Sequence, residues 1–226
     1  MSSSPLVRYA DSTVVLPPRL FGSVGYYAVM AAYGHVVVDA AMRFDKRQKA
    51  VHRYDIVDTR QRLALTVPII KPHGCDHAPT WDDAHISRHN EWWRLHLTAL
   101  ESAYGRTPFF EFIIDRFASL FTDPGESDVA ESVLSFDRRA DAIVRDILGI
   151  DADVQWTSAR DFTAEVTKNA ARRIVDMRPA DFNTPDMKPY WQVRADRLGF
   201  QPSLSILDLI FNLGPEAPVY LRGMRI

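Results

Sequence analysis

The sequence predicts an α/β fold, in which a mixed sheet with an N-terminal βαβ unit is followed by a mostly helical C-terminal half. Strand, helix and strand patterns follow one another within about 30 residues after residue 13. Helical spacing of apolar residues dominates beyond residue 90. The chain has 226 residues, of which 46% are hydrophobic and 25% charged, as in a globular domain with a full core. We therefore expect one compact domain over residues 1–226.

The first predicted elements form the βαβ unit. Residues 14–16 are a short apolar strand that a pair of prolines ends. In residues 23–33 apolar side chains recur at helical spacing, and Gly34 fits the C-terminus of that helix. Residues 35–38 are a second, mostly apolar strand. Because strands of this kind are buried on both faces, the unit predicts a parallel sheet.

A hairpin and a first long helix come next. Residues 54–57 and 63–70 are predicted as paired strands around a short polar turn, and residues 85–87 as one more short strand. Asn90 is predicted as the N-cap of a helix that runs to Tyr104, because asparagine can accept hydrogen bonds from the first free backbone N–H groups.

Helices dominate the second half. Residues 108–121 and 127–148 are predicted as helices, and Gly149 ends the second of them. Apolar side chains on one stripe predict its inward face: Val129, Val133, Phe136, Ala140, Ile143, Val144 and Ile147. Residues 154–157 are predicted as a late strand and residues 203–212 as a last helix.

Charge and cysteine content narrow the class of protein. The formal net charge is −2, which argues against capture of nucleic acid by a basic surface, so DNA is not an expected partner. Cys75 is the single cysteine, which excludes an intramolecular disulfide and favours a cytoplasmic location. Residues 1–11 lack the apolar stretch of a secretion signal. No window approaches the roughly 20 apolar residues that span a bilayer, so we expect no membrane span.

The densest group of potential metal ligands lies in the middle of the chain. Six side chains within 24 residues carry imidazole or thiol donors, which zinc prefers: His73, Cys75, His77, His85, His89 and His96. The first three alternate within a flexible loop and lack a second ligand pair at a defined separation. The sequence therefore favours an exposed loop, and we expect no metal.

His96 is a candidate general base. It shares one side of its predicted helix with Trp93 and Leu100, at spacings of three and four residues. Partial burial beside a polar partner can bring the pKa of a histidine near neutrality, as a base requires. A core histidine that is hydrogen-bonded to a carbonyl explains the same pattern, and the sequence leaves both interpretations open.

A second candidate group follows the second predicted strand. Asp39 stands at the strand end, where open α/β sheets place ligand-binding groups, although capping of the next turn explains it about as well. A basic run of the kind that is usually a solvated face follows, formed by Lys46, Arg47, Lys49, His52 and Arg53. So soon after a strand end, the run predicts a site for phosphate or carboxylate, with Arg53 as the bidentate partner.

Asp208 lies in a stretch that is apolar nearly all round, so its helix is expected to be buried. A carboxylate there needs a cation or several hydrogen bonds. It could hold Arg53, Lys46 or His96 in position, or form a purely structural ion pair. Gln192 is a further polar candidate near that helix.

Several short segments together form a recognisable pattern. In the first half they are Leu16-Pro17-Pro18, Phe21-Gly22-Ser23-Val24-Gly25-Tyr26-Tyr27, Val38-Asp39, Lys46-Arg47-Gln48 with His52-Arg53, and Leu65-Thr66-Val67-Pro68. In the second half they are Trp93-Arg94-Leu95-His96, Glu101-Ser102-Ala103-Tyr104, Thr107-Pro108-Phe109-Phe110, Tyr190-Trp191-Gln192-Val193, the segment from Phe200 to Asn212, and Gly214-Pro215-Glu216. The pattern resembles the WbqC-like protein family over nearly the whole chain, and its last long block is the most specific piece.

The resemblance implies a small transferase. Members often lie in gene clusters for bacterial surface polysaccharides, chiefly O-antigen, and some have been suggested to attach glycine or a similar acyl group to an amino sugar. His52 stands where the family pattern has asparagine. We expect catalytic roles for His96 and Asp208, and substrate binding by Lys46, Arg53, Asp39, Tyr27, Tyr104 and Gln192.

The leading hypothesis is an acyl- or aminoacyl(glycyl)transferase that forms an amide on an amino sugar or a similar small-molecule amine. His96 would deprotonate the acceptor, Lys46 and Arg53 would hold an anionic group, and Asp208 would orient one of these. The activated donor would be a thioester or an aminoacyl-tRNA, and thus carrier-bound or tRNA-bound. A non-catalytic binding protein for a sugar nucleotide or a pathway enzyme is the alternative, and nucleotidyl transfer ranks third.

Overall fold

The computed structural model describes residues 9–123, 131–158, 160–161, 173–177, 182 and 187–226. Its strands are β1 (Tyr9–Leu16), β2 (Tyr33–Asp39), β3 (Arg53–Val57), β4 (Arg62–Thr66), β5 (Ile69–Ile70), β6 (His85–Ile86), β7 (Asp153–Thr157) and β8 (Arg173–Asp176). Its helices are α1 (Val24–Ala32), α2 (Trp92–Tyr104), α3 (Phe110–Ile113), α4 (Val133–Leu148), α5 (Ala195–Leu198), α6 (Ile206–Leu213) and α7 (Ala217–Gly223). The predicted α/β class is confirmed.

Four parallel strands form the central sheet, in the order β7-β2-β1-β8. The β-branched residues of β1 and β2 favour extended backbone and fill both faces, so that Val14, Val36 and Val38 are buried on one face and Val37 on the other. The predicted βαβ unit, here β1-α1-β2, is confirmed, and so is the late strand, now β7. Strands β7 and β8 come from the second half of the chain, so both halves build this sheet.

Gly34 does not end the first helix, contrary to the sequence prediction. Helix α1 ends at Ala32, and Gly34 lies inside β2. The register of β1 against β2 shifts between Tyr9 and Thr13, and a Cβ at Gly34 would lie 2.3 Å from the carbonyl oxygen of Ala10. Glycine is therefore required by close approach of the two backbones at an irregularity in the sheet.

Antiparallel pairing occurs in two small ladders outside the central sheet. Strands β3 and β4 form the predicted hairpin, whose turn is closed by a hydrogen bond from Asp58 N–H to the Gln61 carbonyl. The second predicted strand is shorter than expected, since β4 ends at Thr66. The remainder forms β5, which pairs with β6 across the loop of residues 71–84.

Two helix starts differ from their predictions. Helix α2 begins at Trp92 with Glu91 as N-cap, and Asn90 lies in a preceding 3₁₀ turn at φ 59°, a conformation that asparagine tolerates. Helix α4 begins after Ser132, whose hydroxyl accepts the N–H of Ser135. Part of the predicted 127–148 helix, including Val129, lies outside the described residues.

The long helices pack as their periodicity predicts. In α4 the inward residues Val133, Phe136, Ala140 and Val144 are buried. Ile143 and Ile147 are half-buried and rest on the edge of the same core. Gly149 ends this helix in the left-handed region, as predicted.

Helix α6 is buried along nearly its whole length and packs against α1, α2 and α3. Residues 108–121 form α3 followed by the 3₁₀ turn Ile114–Leu120. In the part of the chain that the structure describes, none of the helices has the length and apolar character needed to cross a bilayer.

Candidate functional site

A cavity of about 290 Å³ opens where β1 leads into α1. In open parallel sheets ligands bind beyond the carboxyl ends of the strands, where the strand order reverses. Strand β1 is at such a point, because its neighbours in the sheet are β2, the next strand of this sheet along the chain, and β8, the last one. The lining residues are Arg19, Leu20, Phe21, Gly22, Ser23, Tyr26, Lys49, Ala50, Arg53, Tyr54, Asp55, Arg62, Phe182, Ser203 and Ser205. We call this the basic cavity.

Two helix N-termini meet at the basic cavity. Ser23 is the N-cap of α1 and accepts the N–H of Tyr26. Ser205 is the N-cap of α6 and accepts the N–H of Leu207. The two serines pair as an isolated antiparallel bridge, which fixes the helix starts against each other. The N–H groups of Val24 and Ile206 are already bonded to the carbonyls of Leu204 and Gly22, so the helix starts act on an anion between them through their partial positive charge.

Three cationic side chains strengthen the positive potential of the basic cavity. Arg19, Lys49 and Arg53 line it, and none of them forms an ion pair with a carboxylate among the described residues. The guanidinium carbon of Arg19 lies 5.7 Å from the centre of the Phe182 ring. Burial lowers the pKa of Arg19, because its charge is partly removed from water. A bound phosphate or carboxylate would supply the missing counter-charge.

A fourth lining cation, Arg62, is already neutralised. Its Nε donates to a carboxylate oxygen of Asp55 at 3.0 Å, and its terminal nitrogen donates to the Ser203 carbonyl at 2.9 Å. Arg62 therefore ties the β3–β4 hairpin to the segment before α6. Its role in the cavity is to hold the wall in place.

Arg53 and His96 share a neighbour. Arg53 Nε donates to the Thr66 hydroxyl at 2.7 Å, while His96 Nε2 lies 3.3 Å from the Thr66 carbonyl oxygen. Arg53 and Thr66 face each other across the β3–β4 ladder. The structure therefore brings Arg53 and His96 to two sides of one residue, although His96 is not among the residues that line the cavity.

The hydrogen bonds of His96 define its tautomer. A carbonyl can only accept, so Nε2 carries the proton that is given to Thr66. Nδ1 is then an acceptor, and the Tyr54 hydroxyl donates to it at 3.1 Å. The imidazole is buried against the rings of Tyr54, Trp92 and Phe121. Burial lowers the pKa of His96 to about 4, so the ring is neutral at physiological pH.

Asp208 belongs to a separate buried cluster with two other predicted site residues. It accepts hydrogen bonds from the Tyr190 hydroxyl at 2.5 Å and from Gln192 Nε2 at 2.8 Å. Tyr104 lies beside it, and burial raises the pKa of that phenol. Burial also raises the pKa of Asp208, against the effect of these donors. Arg53, Lys46 and His96 are not among the described partners of Asp208.

The remaining predicted site residues lie apart from the basic cavity. Asp39 accepts the N–H of Ala41 and so caps the turn after β2. Lys46 is exposed and does not line the cavity. The Tyr27 hydroxyl is 3.2 Å from Asp141 Oδ1, at the contact between α1 and α4.

The WbqC-like protein family matches residues 18–180, more than half of the chain. The chain belongs to that family. A Mycobacterium tuberculosis protein named "Uncharacterized protein Rv1507c" is 27% identical over 229 residues, covering 89% of this chain and 93% of the relative. No solved structure matches.

The family match covers the cationic side of the basic cavity. Arg19, Lys49 and Arg53 fall within residues 18–180, whereas Asp208 and the long C-terminal block of the resemblance lie beyond that range. Within the WbqC-like region, His52 is buried and its Nδ1 donates to the Val67 carbonyl at 2.8 Å. Its side chain thus supports the hairpin that carries Arg53.

Sequence reasoning missed Arg19 and did not single out Lys49 within the basic run. Arg19 directly follows the proline pair that ends β1, so the rule that ligands bind beyond strand ends could have identified it. Lys49 belongs to the predicted basic run, but only the folded chain shows which members of that run face the cavity. Asp137 and Asp141 were also missed, and both are buried on α4.

Proposed function

We propose that this WbqC-like protein is an acyl- or aminoacyltransferase that binds an anionic part of its donor or acceptor in the basic cavity. The supporting observation is the meeting of two helix N-termini with Arg19, Lys49 and Arg53 around one cavity. Phosphate and carboxylate groups are the ligands that such an arrangement favours. Sugar nucleotides, coenzyme A thioesters and aminoacyl-tRNA all carry phosphates.

The reaction joins the nitrogen of an amine acceptor to the carbonyl carbon of the activated donor. The bond from that carbon to the leaving sulfur or oxygen breaks, and the attacking amine gives up a proton. In the cavity, the cations would fix the anionic group so that the two reacting atoms approach each other. Positioning of this kind supplies much of the acceleration in reactions between two substrates.

Tyr54 connects the cavity with the predicted base. It lines the cavity, and its hydroxyl donates to His96 Nδ1. A proton taken up by the Tyr54 oxygen would allow the phenolic proton to pass to His96. In this proposal His96 acts through Tyr54, and Asp208 supports the fold around α6 through its own hydrogen bonds.

A non-catalytic binding protein is the second candidate, and one observation favours it. Both ring nitrogens of His96 are engaged within the protein, and burial lowers its pKa to about 4, which makes it a weak base. A protein that recognises a sugar nucleotide needs the cations of the cavity but no base.

Binding is tested first by calorimetry of the full chain with pyrophosphate, an amino-sugar nucleotide and coenzyme A. We expect at least one probe to bind more weakly as salt rises, because the contacts are ionic. Arg53→Ala and Lys49→Ala should each weaken binding by roughly 10-fold or more, as charge-assisted hydrogen bonds of about 1.5–3 kcal/mol predict. The control is Arg47→Ala, which removes an exposed charge of the same sign that is paired with Asp45.

A turnover assay distinguishes the transferase from the non-catalytic binding protein. Incubation with an amino-sugar nucleotide and glycyl or acyl donors, followed by mass spectrometry, should reveal the amide product. Tyr54→Phe should lower turnover while leaving probe binding intact. Binding without turnover for every donor would favour the binding protein, and binding that is unchanged in Arg53→Ala and Lys49→Ala would overturn both.

A further inference from the structure

Three potential metal ligands meet outside the basic cavity. Cys75 Sγ, a ring nitrogen of His77 and a carboxylate oxygen of Asp83 all lie within 4.8 Å of one another. Cys75 and His77 come from the loop after β5, and Asp83 from the 3₁₀ turn Trp81–Asp83. In the sequence, Cys75 and His77 have no further ligand pair at a defined separation. The fold brings Asp83 to them as a third ligand. We propose that these three side chains bind a divalent transition-metal ion of the zinc class.

The distances fit a tetrahedral ion. Zinc binds imidazole nitrogen and carboxylate oxygen at about 2.0–2.2 Å, which separates two such ligand atoms by roughly 3.3–3.5 Å. His77 Nε2 lies 3.1 Å and 3.2 Å from the two carboxylate oxygens of Asp83. A bound ion would take the place of the proton between them. Because Zn–S bonds are about 2.3 Å long, the sulfur would lie roughly 3.6 Å from the other ligand atoms, so Cys75 Sγ would need to approach by about 1 Å at most.

The Asp83 carboxylate is already held in a fixed orientation. Its Oδ2 accepts the backbone N–H of Thr80 at 2.7 Å and the Thr80 hydroxyl at 2.9 Å. Donors of this kind orient carboxylate ligands and are typical of the outer shell of metal sites.

The turn that carries Asp83 is anchored in the core. Trp81 is fully buried, and its backbone N–H donates to the Met42 carbonyl. The ligand set has different kinds of donor, thiolate, imidazole and carboxylate, which together favour zinc over magnesium or calcium. A water molecule would complete four-coordination, as in zinc sites with three protein ligands.

The ion would stabilise the wall of the basic cavity. The indole N–H of Trp81 donates to Gln48 Oε1 at 3.1 Å, and the His52 ring packs against the same indole. Gln48 and His52 flank the 3₁₀ turn Lys49–Val51 and precede Arg53. By linking the loop at Cys75 to the turn at Asp83, a bound ion would reduce the freedom of the segment that places the two cations.

The test is a Co²⁺ titration of the tag-free full chain after dialysis against a chelator. Cys75 is the single cysteine, so any thiolate-to-cobalt charge-transfer band reports on this residue alone. We expect saturable binding of one ion with that band and the visible bands of tetrahedral cobalt, both lost on addition of Zn²⁺. Modification of the Cys75 thiol by a disulfide reagent should slow when Zn²⁺ is bound.

Variants test whether the cobalt spectrum and the ion binding come from the proposed site. Cys75→Ser should abolish the charge-transfer band, and His77→Ala should weaken binding at least 10-fold. His89→Ala, which removes an exposed imidazole outside the cluster, should leave the charge-transfer band and the binding affinity unchanged. Absence of saturable binding, binding without a thiolate band, or undiminished affinity in Cys75→Ser and His77→Ala would overturn the proposal.

Discussion

The buried imidazole of His96 uses both of its nitrogens within the protein. Nε2–H donates a hydrogen bond to the Thr66 carbonyl, and Nδ1 accepts one from the Tyr54 hydroxyl. Protonation would require Nδ1 to lose its acceptor role and would place a charge among aromatic rings. Burial therefore lowers the pKa of His96 to about 4, below its ordinary value of 6.5.

The lowered pKa predicts how stability depends on pH. As pH falls from 6.5 towards 4, the unfolded chain takes up a proton on His96 before the folded chain does. Unfolding free energy should therefore fall by on the order of 3 kcal/mol across this window and be fully retained above it. Urea denaturation of wild type and His96→Gln at pH 7.5 and pH 4.5 measures it, since the variant should lose less stability on acidification.

A second measurement distinguishes the titration of His96 from that of other acid-sensitive groups. Burial also lowers the pKa of His52, so the comparison must isolate His96. NMR of the ring nitrogens should show Nε2 protonated and Nδ1 unprotonated at neutral pH, with little change down to pH 5. A His96 that titrates near pH 7 would contradict this prediction and favour direct action as a general base.

At the scale of residues, chemistry alone selects some side chains from the sequence, and the structure shows where they lie. Arg53 was chosen as a bidentate anion ligand, and it lines the basic cavity. The buried Asp208 was expected to need a cation or several hydrogen bonds, and hydrogen bonds from Tyr190 and Gln192 satisfy it. Whether Lys46 or Lys49 faces the cavity depends on the 3₁₀ turn between them, which periodicity does not reveal.

At the scale of elements, periodicity predicted the strands and helices that are long or strongly apolar. It missed strand β8, which has four residues and pairs with β1, and it merged β4 and β5 into one strand over residues 63–70. Local sequence carries little information on such pairing, because the hydrogen bonds are formed with residues far away in the chain.

Gly34 provides a test at this scale. Gly34→Ala would place a Cβ 2.3 Å from the Ala10 carbonyl oxygen and so separate β1 from β2. We expect a loss of about 1–3 kcal/mol in unfolding free energy, as for other forced overpacking. Urea denaturation measures it. Gly223→Ala is the control, because a Cβ there meets nothing within 4 Å and should change stability by less than about 0.5 kcal/mol.

The outcome separates two roles for Gly34. If Gly34 ended a helix in the left-handed region, alanine would be strained through its backbone conformation, and asparagine would be tolerated better than alanine. If it lies in β2 against Ala10, asparagine should destabilise the protein at least as much as alanine. Equal stability of Gly34→Ala and wild type would contradict the predicted close approach.

At the scale of the molecule, charge is distributed unevenly. The net charge of −2 argued against general capture of nucleic acid, yet three cations without an ion-pair partner among the described residues meet two helix starts at one cavity. Composition reports the sum of the charges, whereas binding depends on where the chain brings them together. The cavity is built by distant segments, since Arg19, Arg53 and Ser205 lie in three separate parts of the sequence.

The same long-range assembly predicts that the chain unfolds as one unit. Strands β7 and β8 flank β2 and β1 in the central sheet. The N–H of Ser205 donates to the Asp55 carbonyl and that of Ile206 to the Gly22 carbonyl, which joins the start of α6 to the first half. Neither half can unfold without exposing paired strands of the other, so all regions should share one transition.

Fluorine labelling of the tryptophans tests this prediction site by site. Four of the five report on named elements: Trp81 on the anchored turn, Trp92 and Trp93 on α2, and Trp156 on β7. In urea their native ¹⁹F signals should disappear at a common midpoint that matches far-ultraviolet circular dichroism, because a single-domain chain loses all its packing together. Loss of the Trp156 signal at lower urea than those of Trp92 and Trp93 would instead show that β7 unfolds apart from the first half, and would contradict the one-domain prediction.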